Sequence, residues 1–307
     1  MSRSRGLKIG VIGVGSMGQH HARVCATLSG ASLVAVADTD PAKAKEMGNR
    51  YKAEVFKDYK QMLPLVEAVI IASPTATHFE FAAECLNAEK NILVEKPLTK
   101  TSAEAQRLAE MAKEKGLVVA VGHIERFNPA FEELSKLVRK EKILGINIHR
   151  LSPFPERISD ANVIQDMMIH DLDLLLSLLP QDEIESLKAE GSTIKSHQLD
   201  KVSATIYFHS GIIAKLEADR IFGIKTRKIT VTCERGLIEA DLLNKRVYLR
   251  DLEHPIPSVH HTKNVDQLTA ELLDFLKAIK EGRPPKVSAE DGYKAIKLAE
   301  EVERACS

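Results

Sequence analysis

The sequence predicts two domains, an α/β domain built on a doubly wound parallel sheet and, after it, an α+β domain with an open, mainly antiparallel sheet. Three observations support this fold class. Short apolar runs alternate with helical patterns over residues 1–122, which is typical of a parallel sheet with helices on both faces. A glycine-rich turn joins the first run to the first helix. Beyond residue 122, strand-like runs follow one another closely and are joined by hairpin signals.

The elements of the first domain, residues 1–122, alternate along the chain. Its predicted strands are short, apolar runs typical of buried parallel strands: Leu7–Ile12, Ala31–Ala37, Val69–Ala72, Asn91–Val94 and Leu117–Val121. The helices between them begin after Gly18, at Pro41, at about His78 and at about Ser102. Gly116 ends the last of these helices.

The second domain, residues 123–307, is predicted from a change of pattern. It begins with a helix over Phe131–Arg139, a strand over Ile143–Leu151 and one long helix over Asn162–Leu179. Six strand candidates then follow: Ile184–Lys188, Lys201–His209, Ile212–Asp219, Arg227–Cys233, Gly236–Asp241 and Arg246–Arg250. Two helices, about Val265–Glu281 and Ala289–Ala305, close the chain, and the sequence leaves open whether they pack back on the first domain. Glu271 and Asp274 are expected on solvated or domain-packing faces of the first of them.

The turn after the first strand, Gly13-Val14-Gly15-Ser16-Met17-Gly18, carries the most informative motif of the chain. In G-x-G-x-x-G spacing the first glycine allows the tight turn, the second lets the backbone approach a pyrophosphate, and the third allows close packing of helix on strand. The following helix points free N–H groups and its positive dipole end at the phosphates. We therefore expect a Rossmann-type dinucleotide site at Gly13, Gly15, Ser16, Met17 and Gly18. The alternative is an ordinary tight turn.

Asp38 ends the second predicted strand, twenty residues after Gly18, where an acidic side chain holds the adenosine ribose hydroxyls of a dinucleotide. Its charge would repel the 2′-phosphate of NADP, and the residues that follow it, Thr39-Asp40-Pro41, contain no arginine. Lys43 and Lys45 lie one helical turn further on and weaken this preference. The sequence thus favours NAD over NADP as the cofactor.

Composition excludes several classes of function. Lys and Arg number 43, equal to the 43 Asp and Glu, and no polybasic block occurs, so we expect no nucleic-acid partner. No apolar run approaches the length of a membrane helix, and glycines interrupt the run that follows the basic start, so we expect neither a membrane anchor nor a signal peptide. The four cysteines form no C-x-x-C pair, which favours free thiols in a reducing compartment. These observations predict a cytoplasmic protein.

The predicted long helix carries Asp166, His170 and Asp173 at spacings of four and three, which places them on one face of an α-helix. Apolar neighbours indicate that much of the helix is buried, where polar groups need partners or a cavity. Three interpretations stay open on these residues alone. His170 is a general base oriented by Asp166, all three residues bind a metal ion, or all three form a structural hydrogen-bond network.

Five motifs in combination resemble the glucose–fructose oxidoreductase / inositol dehydrogenase / rhizopine catabolism (Gfo/Idh/MocA) family. They are Ser73-Pro74-Thr75-x-x-His78, Glu95-Lys96-Pro97, Gly122-His123-Ile124-Glu125-Arg126-Phe127-Asn128-Pro129, Asp166-x-x-x-His170 and Gly282-Arg283-Pro284-Pro285-x-Val287-Ser288. Each motif alone is weak, but the combination is specific and spans nearly the whole chain. The resemblance implies an NAD-dependent dehydrogenase that acts on CH–OH groups and has no metal.

The resemblance also implies roles for single residues. Lys96 matches the lysine near the nicotinamide that hydrogen-bonds the reacting oxygen, His170 the general acid/base, and Asp166 the carboxylate that positions the site. The chemistry agrees, because a neutral imidazole accepts an alcohol proton near pH 7 and a cationic lysine stabilises the developing alkoxide. The positions implied at the cofactor are Ser73, Pro74, Thr75, His78, Glu95 and Lys96. For His78, a helix-cap histidine without function is the alternative.

Weaker candidates for substrate contact are His123, Arg126, Asn128, Arg157 and Asp173. Arg126 and Asn128 fit a hydrogen-bond network at a helix start equally well. Arg150 and Arg157 are candidates to meet a diphosphate, with an ordinary surface salt bridge as the alternative for each.

Within the family, the segment Phe154-Pro155-x-Arg157-Ile158-x-Asp160 is most similar to the nucleotide-sugar 3-dehydrogenases. This resemblance implies oxidation of the 3-hydroxyl of a UDP-N-acetylhexosamine. Dehydrogenation of a free sugar, an inositol or another cyclic alcohol is the first alternative, and a non-catalytic NAD-binding sensor is the second. Family members are commonly dimers or tetramers, so we expect a homodimer or homotetramer.

Overall fold

The computed structural model describes residues 6–154, 161–251, 257–262 and 265–306. Its contacts divide the chain into two compact units, Met1–Ile124 with Asp266–Ile296, and Glu125–Val265 with Lys297–Ser307. The sequence left open whether the C-terminal helices pack back on the first domain, and in the structure the stretch Asp266–Ile296 groups with the first unit.

The first unit is built on six parallel strands in the order β3-β2-β1-β4-β5-β6. The strands are β1 Leu7–Ile12, β2 Ala31–Ala37, β3 Glu54–Phe56, β4 Ala68–Ile71, β5 Asn91–Glu95 and β6 Val119–Gly122. The helices that alternate with them are α1 Gly18–Thr27, α2 Pro41–Tyr51, α3 His78–Asn87 and α4 Ser102–Lys115. The predicted doubly wound parallel sheet is confirmed. Because the strand order reverses between β1 and β4, the loops after these strands border the crevice in which such sheets bind ligands.

Local signals in the sequence set the helix ends of this unit. The side chain of Asp40 caps α2 by accepting the N–H groups of Ala42 and Lys43. Thr101 and Glu104 form a reciprocal capping box at the start of α4, and Gly116 ends that helix with φ +64°. Within this unit the sequence did not predict β3, whose first two residues are exposed and therefore leave no apolar run.

The second unit contains an eight-stranded sheet in the order β14-β13-β12-β11-β7-β10-β9-β8. The strands are β7 Ile143–Leu151, β8 Ile184–Ser192, β9 Lys201–Phe208, β10 Ile213–Asp219, β11 Thr226–Cys233, β12 Gly236–Asp241, β13 Arg246–Asp251 and β14 Ser258–His261. The helices are α5 Pro129–Val138 and α6 Ile169–Leu178. Neighbouring strands are antiparallel apart from the parallel pair β7 and β10, which confirms a mainly antiparallel sheet.

One face of this sheet forms the core of the second unit, and the other is open. Alternate side chains such as Ile146 and Ile206 are buried together with Phe131 of α5 and Leu172 of α6. The intervening positions carry polar, partly exposed side chains, including Thr205, Tyr207, Glu217, Lys228 and Thr230. This alternation leaves a polar sheet face that the described residues of the second unit do not cover.

Two helices close the chain, α7 Gln267–Glu281 and α8 Ala289–Ala305. Leu268, Leu272 and Phe275 lie at one-turn spacings on α7 and are buried in the same core as Ile9 of β1 and Ala22 of α1. This packing is the physical reason why α7 groups with the first unit.

Candidate active site

The glycine-rich turn lies at the carboxyl end of β1, next to the reversal of strand order. Gly13 has φ +80°, and a Cβ there would lie 2.8 Å from backbone atoms of the loop after β4, so a larger residue does not fit. A Cβ on Gly18 would overlap the backbone oxygen of Gly13, whereas Gly15 faces open space and Ser16 and Met17 are exposed. No side chain caps α1, so the positive end of its dipole is not occupied by a side chain of its own, although the N–H groups of Gln19 and His20 already bond to the carbonyls of Gly15 and Met17. The residues present fit a dinucleotide.

Asp38 is fixed beside this turn by two backbone hydrogen bonds. Its Oδ2 accepts the N–H of Val14 at 2.8 Å, and its Oδ1 accepts the N–H of Asp40 at 2.8 Å. Because Val14 lies within the glycine-rich turn, the carboxylate is held at the end of β2 where an acid meets the ribose hydroxyls of NAD.

Replacement of Asp38 by Asn is expected to weaken NAD binding by about 10- to 100-fold, because hydrogen bonds to a charged acceptor are lost. The ratio of the NADP to the NAD dissociation constants is expected to fall as well, since the charge that repels a 2′-phosphate is gone. Titration of both cofactors by fluorescence measures this ratio. Asp40→Asn is the matched control, because Asn still caps α2 and the ratio should not move. An unchanged ratio in Asp38→Asn would contradict the assignment.

His78 connects the turns that follow β4 and β5. Its ring is 1% exposed, with Nδ1 at 2.8 Å from the carbonyl oxygen of Pro97 and Nε2 at 2.9 Å from that of Ser73. Both ring nitrogens are therefore engaged by backbone carbonyls. His78 thus ties the loop after β4 to the turn after β5, and the cofactor contact expected of it stays a prediction. In the same loop Thr75 is partly exposed and Pro74 is exposed.

Lys96 follows β5 directly and is half-buried, and its peptide bond to Pro97 is cis. Glu95 beside it is buried, with Oε1 at 2.7 Å from His21 Nε2 and Oε2 accepting the N–H of Lys96 at 3.3 Å. Burial raises the pKa of the Glu95 carboxyl, but the hydrogen bond and charge of His21 and the charge of Lys96 together hold it below its ordinary value. Glu95 is thus a buried carboxylate that anchors this turn, and the cofactor contact expected of it stays a prediction.

The segment that carries Asp166 and His170 differs from the single α-helix predicted over 162–179. Ile164–Met168 forms a π-helix, and α6 follows it. A π-turn is slightly wider than an α-turn, and residues four apart lie near one face in both, so this segment is consistent with the shared face expected of Asp166 and His170. The side chain of Asn162 starts the segment by accepting two backbone N–H groups at 3.0 Å each. Both Asp166 and His170 are half-buried, and such π-segments are frequent at functional sites.

Asp173 and Asn128 have internal partners in the second unit. Arg126 donates from Nε to Asp173 Oδ2 at 2.9 Å, and the two side chains are only 12% and 2% exposed. Asn128 caps α5 through its Oδ1 and donates from Nδ2 to Glu125 Oε2 and to the carbonyl of Leu242, each at 3.0 Å. For these residues the structure has the internal network that the sequence offered as the alternative to substrate contact.

Arg150 lies at the centre of a buried ionic network. It donates from Nη2 to Asp171 Oδ1 at 2.7 Å and from Nη1 to Glu125 Oε1 at 3.2 Å, and Arg227 donates to the same Glu125 oxygen at 2.8 Å. Burial opposes the charge of Arg150, but Asp171 and Glu125 outweigh it and raise the pKa of the guanidinium. Arg150 is 3% exposed, so the diphosphate contact considered for it is wrong. The network instead anchors the first turn of α6, next to His170.

Two further candidates for substrate contact are Arg157 and His123. Arg157 lies outside the described residues. His123 is fully buried at the end of β6 and therefore presents no exposed atom to a substrate. Within the described ranges no group of three or more His, Cys, Asp or Glu could hold a metal ion, so the metal interpretation is not carried further. No helix in that same part of the chain is long and apolar enough to cross a membrane.

Two residues that matter to the site escaped the sequence analysis. His21 is fully buried on α1 and pairs with Glu95. The sequence feature that could have indicated this is a histidine beside Ala22 in the apolar stripe of the first helix. Glu125 joins Arg150 to Arg227, and no local pattern marks it, because its partners come from strands far along the chain.

Comparison with known proteins agrees with both units. The family described as "Oxidoreductase family, NAD-binding Rossmann fold" matches residues 7–123, and the "GFO/IDH/MocA C-terminal domain" matches residues 142–239. The UDP-N-acetylglucosamine 3-dehydrogenase of Acidithiobacillus ferrooxidans is 32% identical over 96% of this chain and 96% of its own. A solved structure of that enzyme has a TM-score of 0.92 and covers 98% of both chains. The myo-inositol 2-dehydrogenase of Thermotoga maritima is 30% identical over 95% of this chain and 94% of its own.

Proposed function

We propose that this chain, which belongs to the Gfo/Idh/MocA family of NAD-binding oxidoreductases, oxidises the 3-hydroxyl of a UDP-N-acetylhexosamine. The choice of substrate rests on the similarity to the A. ferrooxidans 3-dehydrogenase, at 32% identity and a TM-score of 0.92 over 98% of both chains. The chain is a dehydrogenase with NAD as its cofactor. Its family and its relatives, which are named dehydrogenases of sugars and inositols, establish that coarser statement.

The reaction divides between two residues of the chain. NAD, when bound, supplies the hydride acceptor. His170, half-buried at the second position of α6, takes the hydroxyl proton as a general base. Lys96 donates a hydrogen bond to the same oxygen and stabilises the negative charge that develops on it. Asp166, in the π-segment before α6, positions the site.

A myo-inositol or similar cyclic polyol is the second candidate substrate, supported by the T. maritima relative at 30% identity. Both substrates present a secondary hydroxyl on a six-membered ring, so the same two residues serve either reaction. Only the UDP-sugar carries a diphosphate, and Arg157 stays the candidate residue to contact it.

The test is reduction of NAD followed spectroscopically with UDP-N-acetylglucosamine, UDP-N-acetylgalactosamine, free hexoses and inositols. We expect turnover with a UDP-N-acetylhexosamine and none with the free N-acetylhexosamine, which serves as the matched control for the nucleotide. A supplied 2-oxo acid recycles any NADH that stays bound, so that a trapped cofactor is not mistaken for inactivity. Turnover with inositol alone would replace the substrate and keep the family. Binding of NAD without turnover of any alcohol would favour the second alternative, a non-catalytic NAD-binding sensor.

We also propose that the chain forms a homodimer or homotetramer. The polar, partly exposed face of the eight-stranded sheet supports self-association, because the described residues of its own unit leave that face uncovered. Light scattering should give two or four times the chain mass of 34.0 kDa.

A further inference from the structure

Glu271 occupies a position in the first unit that a charged side chain does not normally take. It lies within the apolar stripe of α7 formed by Leu268, Leu272 and Phe275. It is 3% exposed, and neither of its carboxyl oxygens has a hydrogen-bond partner among the described residues. An unpaired carboxylate buried in this way is strongly disfavoured, and the group binds a proton instead.

The charged groups that bear on Glu271 are carboxylates. Burial raises the pKa of Glu271 well above its ordinary value, and the charges of Glu95 at the end of β5 and of Asp274 on α7 raise it further. Asp274 has its own partner, Arg283, whose Nη2 donates to it at 2.7 Å. Glu95 has His21 of α1 at 2.7 Å. Each neighbouring carboxylate is therefore paired, and the proton resides on Glu271.

Glu95 connects this buried cluster to Lys96. Its Oε2 accepts the N–H of Lys96, and Gly122 of β6 leaves the space that its carboxyl fills, since a Cβ there would lie 3.1 Å from Oε2. A carboxyl fixed on these sides has little room to move. Its position is therefore tied to that of the turn that carries Lys96.

We propose that Glu271 is a positioning residue for Lys96 that acts through Glu95. It stays a neutral carboxylic acid in the core, so that Glu95 keeps the only negative charge of the cluster His21, Glu95 and Glu271 and holds the Lys96 turn in place. The inference rests on the proposed function only for the role of Lys96. Ionisation of Glu271 at alkaline pH would add a second negative charge beside Glu95 and displace the turn by repulsion.

The first test is independent of any substrate. A carboxyl with a higher pKa in the folded chain contributes stability that is complete below the unfolded value of about 4.3 and is lost as pH rises toward the folded value. Glu271→Gln keeps the shape without ionising, so its melting temperature relative to the wild type should rise by about 3 °C or more between pH 4.5 and pH 8.5. Glu281→Gln, on an exposed residue of the same helix, should show a constant difference. A constant difference in Glu271→Gln would overturn the proposal.

The second test separates positioning from packing. Glu271→Gln cannot ionise, so we expect the ratio of its kcat to that of the wild type to rise by about threefold or more from pH 7.5 toward the alkaline pH at which Glu271 ionises, with NAD affinity unchanged. The wild type should also show the infrared band of a protonated carboxyl at pH 7, and Glu271→Gln should lack it. If no alcohol is turned over, the proposed function fails, whereas the melting and infrared results still decide the state of Glu271. Absence of the band, or a kcat ratio that does not change with pH, would overturn the proposal.

Discussion

Replacement of His170 by Asn or of Lys96 by Met is expected to lower kcat for alcohol oxidation by about 10²–10⁴, because each change removes a group that acts on the reacting oxygen. Asn keeps much of the shape of imidazole but cannot accept a proton near pH 7, and Met keeps the length of lysine without its charge. Steady-state NADH formation with the substrate found in the panel measures the loss. The KM for that substrate should change less than kcat, since the lost interaction strengthens mainly in the transition state.

Matched controls exist on exposed residues of both units. His149→Asn on β7 and Lys100→Met, four residues after Lys96, should leave kcat within about twofold. NAD affinity should be unchanged in His170→Asn, because the glycine-rich turn and Asp38 belong to the other unit. Loss of less than about threefold in kcat for either active-site variant would remove that residue from the proposed mechanism.

The parts of the fold that were predictable are those governed by local chemistry. The strand β1, the turn from Gly13 to Gly18 and the helix α4 with Gly116 at its end depend on backbone conformation and short apolar runs, and the structure has each of them as predicted. The motif at Asp38 was also readable, because its hydrogen bond to Val14 follows from the spacing of the Rossmann turn.

The parts that were not predictable depend on contacts distant in sequence. The π-segment Ile164–Met168 interrupts a pattern that is apolar at helical spacing, and nothing in that pattern distinguishes an i+5 from an i+4 hydrogen bond. Glu271 was expected on a solvated or domain-packing face, and the structure places it on the buried face of α7. The sequence could not decide between the two, because carboxyls are rarely buried and a sequence does not reveal which acids are protonated. For Arg150 the sequence suggested a diphosphate contact or a surface salt bridge. Its actual partners, Glu125 and Asp171, lie more than twenty residues away and form no local pattern.

Replacement of Arg150 by Met is expected to destabilise the protein by about 3–5 kcal/mol, since it leaves Asp171 and Glu125 as buried charges without their central partner. Met fills similar space, so the loss reflects the ion pairs more than a cavity. Urea unfolding with a constant m-value measures the change in free energy. Because Asp171 lies in the first turn of α6, kcat should fall as well if this network positions His170.

Two further variants separate the ionic contribution from packing. Arg227→Met removes the half-exposed partner of Glu125 while Arg150 stays, so we expect a loss of only about 1 kcal/mol. In Arg150→Met with Asp171→Leu no unpaired aspartate remains, and the double variant should regain part of the stability lost by the single one. Additive losses in the double variant would show that Asp171 is not the charge left unpaired, and the network would then act through Glu125 alone. Recovery of stability without recovery of kcat would instead mean that the ion pair is retained to orient α6 and His170, because an apolar pair suffices for folding.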